Sequence, residues 1–185
     1  MKRIRGLLLS ILIGGVILAA CGAASPPPTS SSPESLPRCT SANLRVEIGI
    51  ANVAMGHVSQ QIRLKNISQA TCTLRGYPRL QMLDAAGAAL TTHLHFGADY
   101  IVPTIAVRTV TLAPNASAGF LVGYENATGF ATASCPTSHT IEIYPPHSAS
   151  ALSVRWHLAP YGGSVSALNC GLLSVSPIAS VAQLG

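Results

Sequence analysis

The chain has 185 residues, of which 48% are hydrophobic and only 9% charged, with a formal net charge of +5. The charged fraction lies well below the usual quarter, and the basic residues beyond the first five (Arg45, Arg63, Lys65, Arg75, Arg79, Arg108 and Arg155 among them) are scattered singly. That excludes a nucleic-acid binder built on a basic run, so no nucleic-acid partner is expected.

The N-terminus reads in three parts. Lys2, Arg3 and Arg5 form a positive start, and Leu7 to Ala20 is apolar and uncharged. A positive start, a short apolar run and small residues before a cut are secretory-signal features. The run is about 14 residues, short of the roughly 20 that cross a bilayer core as a helix. Leu18-Ala19-Ala20-Cys21, followed by Gly22, resembles the lipobox of bacterial lipoproteins. The resemblance implies a signal peptide over residues 1–20, a diacylglyceryl group on the Cys21 thiol, cleavage before Cys21 and acylation of the new amine. Two acyl chains are the usual minimum for stable membrane residence. The alternative is a plain cleaved signal or an uncleaved anchor, with Cys21 incidental. Loss of Lys2, Arg3 and Arg5 takes the formal charge from +5 to about +2.

Residues 21–38 are expected to be the lipidated cysteine and a tether. Pro26-Pro27-Pro28 and Ser30-Ser31-Ser32 follow one another, and Glu34 is the only charge between Gly22 and Pro37. Such a segment buries too little apolar surface to offset the entropy of ordering, and its prolines keep it semi-stiff.

Residues 39–185 are expected to be a single domain with period-two patterning, the signature of strands. Val46, Ile48 and Ile50 alternate with Arg45, Glu47 and Gly49. Val58, Ile62 and Leu64 oppose Ser59, Arg63 and Lys65. Thr71 to Arg75 puts Cys72 and Leu74 on one face, and Arg79 to Leu83 follows the Gly76-Tyr77-Pro78 turn. Ile105 to Leu112 alternates again. Ala118, Phe120, Val122 and Tyr124 share a face, as do Ile141 and Ile143, then Leu152, Val154 and Trp156, with Leu173 and Val175 last. Turn residues separate these runs at Asp84 to Gly87, Pro114-Asn115, Gly162-Gly163 and Pro177. The expected fold is all-β: an immunoglobulin-like antiparallel β-sandwich of about 8–9 strands, with a barrel as the alternative. Trp156, the one tryptophan, is expected between the sheets near a disulfide.

There are five cysteines, and an odd count in an exported protein asks for an explanation. With Cys21 lipidated, Cys39, Cys72, Cys135 and Cys170 remain, an even set that reads as two disulfides outside the cytoplasm. Three pairings are open. A metal or redox role is the other possibility, but no two of these cysteines have C-x-x-C spacing.

Several strings then carry a resemblance across the domain. They are Cys39-Thr40 and Leu44; Leu64-Lys65-Asn66-Ile67-Ser68; Cys72-Thr73-Leu74-Arg75-Gly76-Tyr77-Pro78; Leu83-Asp84-Ala85-Ala86-Gly87; Val110-Thr111-Leu112-Ala113-Pro114 leading into Ala118; and Cys135, Tyr144-Pro145-Pro146 and Cys170. Here the chain resembles an actinobacterial family of secreted proteins and lipoproteins known only as domain of unknown function 4232. The resemblance implies a β-sandwich with Cys39 paired to Cys72 and Cys135 to Cys170, and it implies no activity. The chain departs from the family at Pro114-Asn115, where the family often has Pro-Gly; Asn also suits a turn.

Catalytic motifs are missing: there is no G-x-S-x-G elbow, no S-x-x-K, no phosphate loop and no zincin helix. No carboxylate pair stands out as acid and base, and no cofactor is expected. His93-Leu94-His95 puts two imidazoles on one side of an extended segment, a candidate copper or zinc ligand pair, and Met55 and His57 offer further soft and nitrogen donors that nothing in the sequence places nearby. His139, His147 and His157 are isolated, and the segment from Ala88 to Pro103, with Gly97 and Tyr100, is long enough to be a functional loop. Two functions follow as expectations. The first is a non-enzymatic binding module, lipid-anchored outside the cell membrane, whose partner is an envelope protein or cell-wall component. The second is an extracytoplasmic metal-binding protein using His93 and His95.

Overall fold

The computed structural model describes residues 35–125, 136–156, 168–169 and 171–184. The expected signal peptide, Cys21, the tether up to Glu34, Cys135, Cys170 and His157 lie outside the described residues. Ser35–Gly185 forms one compact unit. Its strands, in chain order, are β1 (Leu44–Ala54), β2 (His57–Asn66), β3 (Cys72–Leu74), β4 (Arg79–Leu83), β5 (His93–Phe96), β6 (Val110–Leu112) and β7 (Ser117–Glu125). They continue with β8 (Thr137–Ser138), β9 (Thr140–Tyr144), β10 (Leu152–Arg155), β11 (Leu168–Asn169), β12 (Leu172–Val175) and β13 (Ala179–Ser180). Among the described residues the only helical turns are two short 3-10 pieces, Ser41–Asn43 and Val181–Gln183, so the fold is all-β.

The main sheet has the order β1-β2-β7-β12-β5, with β13 also pairing β7. A second sheet has the order β10-β9-β4, and β11-β8 and β3-β6 form two small ladders. Directly opposed residues of a ladder share a face. Val58, Gln60, Ile62 and Leu64 of β2 lie opposite Tyr124, Val122, Phe120 and Ala118 of β7. That row joins Leu80, Met82, Ile141 and Ile143 of the second sheet and Trp156 in one buried core. Burying each large aliphatic or aromatic side chain there is worth about 1.5–3 kcal/mol. The Trp156 ring meets Tyr124 edge-on at 5.8 Å, and its Nε1–H donates to the Tyr124 hydroxyl at 3.2 Å. Burial pushes the pKa of the Tyr124 hydroxyl up, against the opposing pull of that bond.

The outer face of β7 is buried too. Val102 and Ile105, from the irregular stretch 97–109, cover it together with Ala179 and Leu184. This strap explains why Ile105 to Leu112, read from its alternation as one strand, is strand only at Val110–Leu112: its apolar residues lie down on a sheet instead of joining one. The strand total also exceeds the expected 8–9, because β5 is not among the alternating runs and β8, β11 and β13 are two-residue elements that leave no period in the sequence. The main sheet is mixed, not wholly antiparallel, since β5 runs parallel to β12. After β5 the chain leaves over the sheet as the strap and returns much later, which is the long crossover that parallel pairing requires.

One end of the unit is tightly closed. Cys39 and Cys72 are joined by a disulfide, the one pairing implied by the resemblance that falls within the described residues. The buried Asn66 side chain donates from Nδ2 to Ala70 O at 2.8 Å and Leu112 O at 3.0 Å. Its Oδ1 accepts from Ser68 N–H and Oγ–H at 3.0 and 2.8 Å.

Candidate functional site

At the other end, the β1–β2 hairpin turns through Met55-Gly56. Both residues have positive φ, 50° and 85°, as a two-residue type I′ turn requires. Gly supplies that conformation freely, whereas Met is strained there. Met55 is nonetheless 95% exposed, so packing does not hold it in place.

The register assembles the rest of this end on the outer face. His95 lies opposite Ser174, Ser174 opposite Gly123, Gly123 opposite Ser59 and Glu125 opposite His57, and Ser59 opposite Asn52. The strap crosses this row. A Cβ on Gly123 would come within 2.8 Å of Val102 Cγ2, so only glycine lets the strap lie so close. Asp99 pins it: the carboxylate accepts from the Ser174 hydroxyl and from the backbone N–H groups of Ile101 and Val102 at 2.8 and 2.7 Å. Burial pushes the Asp99 carboxyl up, but the bonds from Ser174, Val102 and Ile101, with His95 nearby, prevail and hold it below the ordinary carboxylate value.

The strap leaves two clefts with Ile101 between them. One, of about 360 Å³, is lined by His93, His95, Asp99, Glu125 and Ser174 among others. The second, of about 660 Å³, is lined by Asn52, Val53, Met55, His57 and Tyr100 among others. Tyr100 is 85% exposed and meets the His57 ring edge-on at 5.1 Å. His57 Nδ1 is buried without a hydrogen-bond partner, with a Glu125 carboxylate oxygen at 3.7 Å.

Ser174, His95 and Asp99 come together, but in an order that activates nothing. The serine donates to the aspartate, and His95 Nε2 faces Ala98 O at 3.2 Å. A nucleophile needs its base on the hydroxyl, and the carboxylate behind that base. His93 and His95 do share one face of β5 and one cleft. Among the described residues, however, no group of three or more His, Cys, Asp or Glu side chains is placed to hold a metal ion. Of the two carboxylates that line this cleft, Asp99 is committed to the strap and Glu125 lies beside His57. His139 and His147 stand elsewhere, between β8 and β9 and in the turn after β9.

Sequence reading found His93, His95 and the loop containing Gly97 and Tyr100. It gave Met55 and His57 only as further donors that nothing placed near the histidine pair, and it missed Ser174 and Asp99, because pairing across the sheet brings these residues together and no local spacing marks them. The one local sign was the Met55-Gly56 pair between two alternating runs.

No curated protein and no solved structure matches the chain. Residues 39–179 match the family described as a domain of unknown function (DUF4232), and with most of its length covered, the chain belongs to that family.

Proposed function

We propose that the protein is a cell-envelope lipoprotein, anchored through Cys21 to the outer face of the cytoplasmic membrane, and that its domain is a non-enzymatic binding module. In this reading the domain is an immunoglobulin-like sandwich closed by a second disulfide, Cys135–Cys170. The observation that carries the reading is the exposed apolar tip formed by Met55 of the β1–β2 turn and Tyr100 of the strap. These side chains stand beside two clefts and are held by strained or pinned backbone. Strain kept at an exposed site is a mark of function. Polarity along β1 supports the reading. The strand has 11 residues, about 35 Å at 3.2–3.4 Å per residue. Its first residue follows the segment leading from the tether, and its last reaches the tip. The tip is thereby carried away from the point where the tether joins.

The test has two arms. Metabolic labelling with a fatty acid should mark the wild-type protein and not Cys21→Ser; labelling of both would remove the anchor. A photo-crosslinking residue at position 55 or 100 should trap a specific envelope component in cells, and the same residue at position 86, in the Asp84–Gly87 turn, should not. Identical products from all three positions would remove the tip as the binding surface.

A further inference from the structure

A third cleft is bordered by Phe96, the last residue of β5. It occupies about 470 Å³ and is lined by Arg75, Tyr77, Arg79, Phe96, Pro146 and His147 among others. The strings Arg75-Gly76-Tyr77 and Tyr144-Pro145-Pro146, distant in sequence, meet here.

Its chemistry is divided. The floor is apolar and aromatic: Tyr77 and Phe96 pack as a tilted pair at 5.5 Å and 59°, Pro146 is buried, and Phe96 remains 46% exposed. The rim is cationic, because Arg75 and Arg79 are both exposed. Among the described residues the ion pairs are Arg45–Glu47 and His57–Glu125, so neither rim arginine has a carboxylate partner. Arg79 is oriented by stacking, with its guanidinium carbon 4.7 Å from the Tyr144 ring centroid. Glu142, the acid on that face, accepts a hydrogen bond from the Tyr144 hydroxyl at 2.7 Å instead.

The backbone around the cleft is specified. Gly76 has φ +106°, and its carbonyl accepts from Ile178 N–H at 2.9 Å. The Pro145-to-Ser148 turn closes with Ser148 N–H donating to Pro145 O at 2.9 Å, and His147 stands at its third position with φ 64°. A type II turn wants glycine or asparagine at that position. His147 keeps a left-handed conformation while lining the cleft, another case of strain at an exposed concave site.

We propose that this cleft binds an acidic saccharide. The C–H face of a pyranose ring lies on Phe96, whose ring face is electron-rich, and a carboxylate or phosphate on the sugar is held by the two guanidinium groups, which match such anions bidentately. A bare anion would leave the aromatic floor unused. A neutral apolar ligand, or a proline-rich peptide, would leave both guanidinium groups unused. The site uses none of the tip residues, so its failure leaves the tip reading standing.

Calorimetric titration of the full-length protein in detergent tests this. The probes are an oligomer of glucuronic acid, a glycosyl phosphate, a neutral glucose oligomer, inorganic phosphate and an oligoglutamate peptide. At least one acidic sugar should bind about tenfold or more tighter than the neutral oligomer, as charge-assisted bidentate contacts predict. Which of the two binds better identifies the anion. Arg75→Gln/Arg79→Gln should remove that preference, Phe96→Ala should weaken the sugars and leave inorganic phosphate unchanged, and Arg45→Gln, at an exposed arginine of β1, should change nothing. Arg75→Lys/Arg79→Lys, which keeps the charge, should retain part of the affinity and so separates recognition from misfolding. The proposal is overturned by absence of saccharide binding, by equal affinity for neutral and acidic sugars, by inorganic phosphate or oligoglutamate binding as tightly as the acidic sugars, or by full affinity in the double glutamine variant.

Discussion

The two ends of the long β1–β2 hairpin are built on opposite principles. At the Leu44–Asn66 end, polar atoms are paired and a covalent bridge closes the chain: Asn66 uses its amide on both sides, and Cys39–Cys72 ties the entry segment to β3. At the Ala54–His57 end a methionine stands nearly bare in a left-handed turn, a buried imidazole nitrogen has no hydrogen bond, and a tyrosine projects from the strap. The first end accounts for stability. The second gives some of it up and presents surface in return. Substitutions should therefore separate cleanly, with the closed end moving folding and the open end moving binding.

The largest expected effect is at the closed end. Cys39→Ser/Cys72→Ser releases a loop with a sequence separation of 33 and should lower unfolding free energy by about 3–4 kcal/mol on the loop-entropy account, read from urea denaturation. A loss under a third of that would place the bridge's value outside folding. Asn66→Ala strands buried carbonyls and should cost about 2–3 kcal/mol, with binding at the tip unchanged once folded. Gly123→Val forces the strap off the sheet, where Val102 already fills the space. Overpacking of this kind costs about 2 kcal/mol, and limited proteolysis should cut within 97–109. A strap that stays protected would show that Gly123 is not what seats it.

Asp99 sharpens the comparison through pH. Its carboxyl is held below the ordinary value in the folded chain. Its contribution to seating the strap is therefore fully present above about pH 4 and is lost as pH falls through the lower folded value. Amide shifts of Ile101 and Val102 should move over that window in the wild type and stay flat in Asp99→Asn. The smallest expected effect has the opposite sign. Met55→Asn suits the left-handed turn and should stabilise by about 0.5–1 kcal/mol while weakening partner capture. Unchanged capture would deny Met55 a role at the tip.

Period-two alternation made the long strands legible, because one face of each meets the core. Ala118, Phe120, Val122 and Tyr124 share that face as expected. The strap was not legible: Ile105 alternates like a strand residue, yet it lies in the layer over Leu121. The parallel β5–β12 pair was hidden for another reason, since local sequence does not encode the direction of a distant partner. Residues alone left three cysteine pairings open, and it was the resemblance that implied Cys39–Cys72. At the open end, His93 and His95 were visible by their spacing. His57 was visible as a donor but not as part of this end, and Ser174 and Asp99 were not visible at all, because the cross-sheet register that gathers them has no trace in any single stretch.

The bridge also has a mechanical consequence. Any pull arriving along the chain before Ser35 reaches Cys39 first, and there it divides: part continues into β1, and part crosses the sulfur atoms into β3. The part entering β1 acts along the strand against its antiparallel ladder with β2, loading those hydrogen bonds together in shear instead of one at a time. A partner held at the Met55 tip lies at the other end of β1, so a pull between the entry segment and the tip runs along that strand's own backbone.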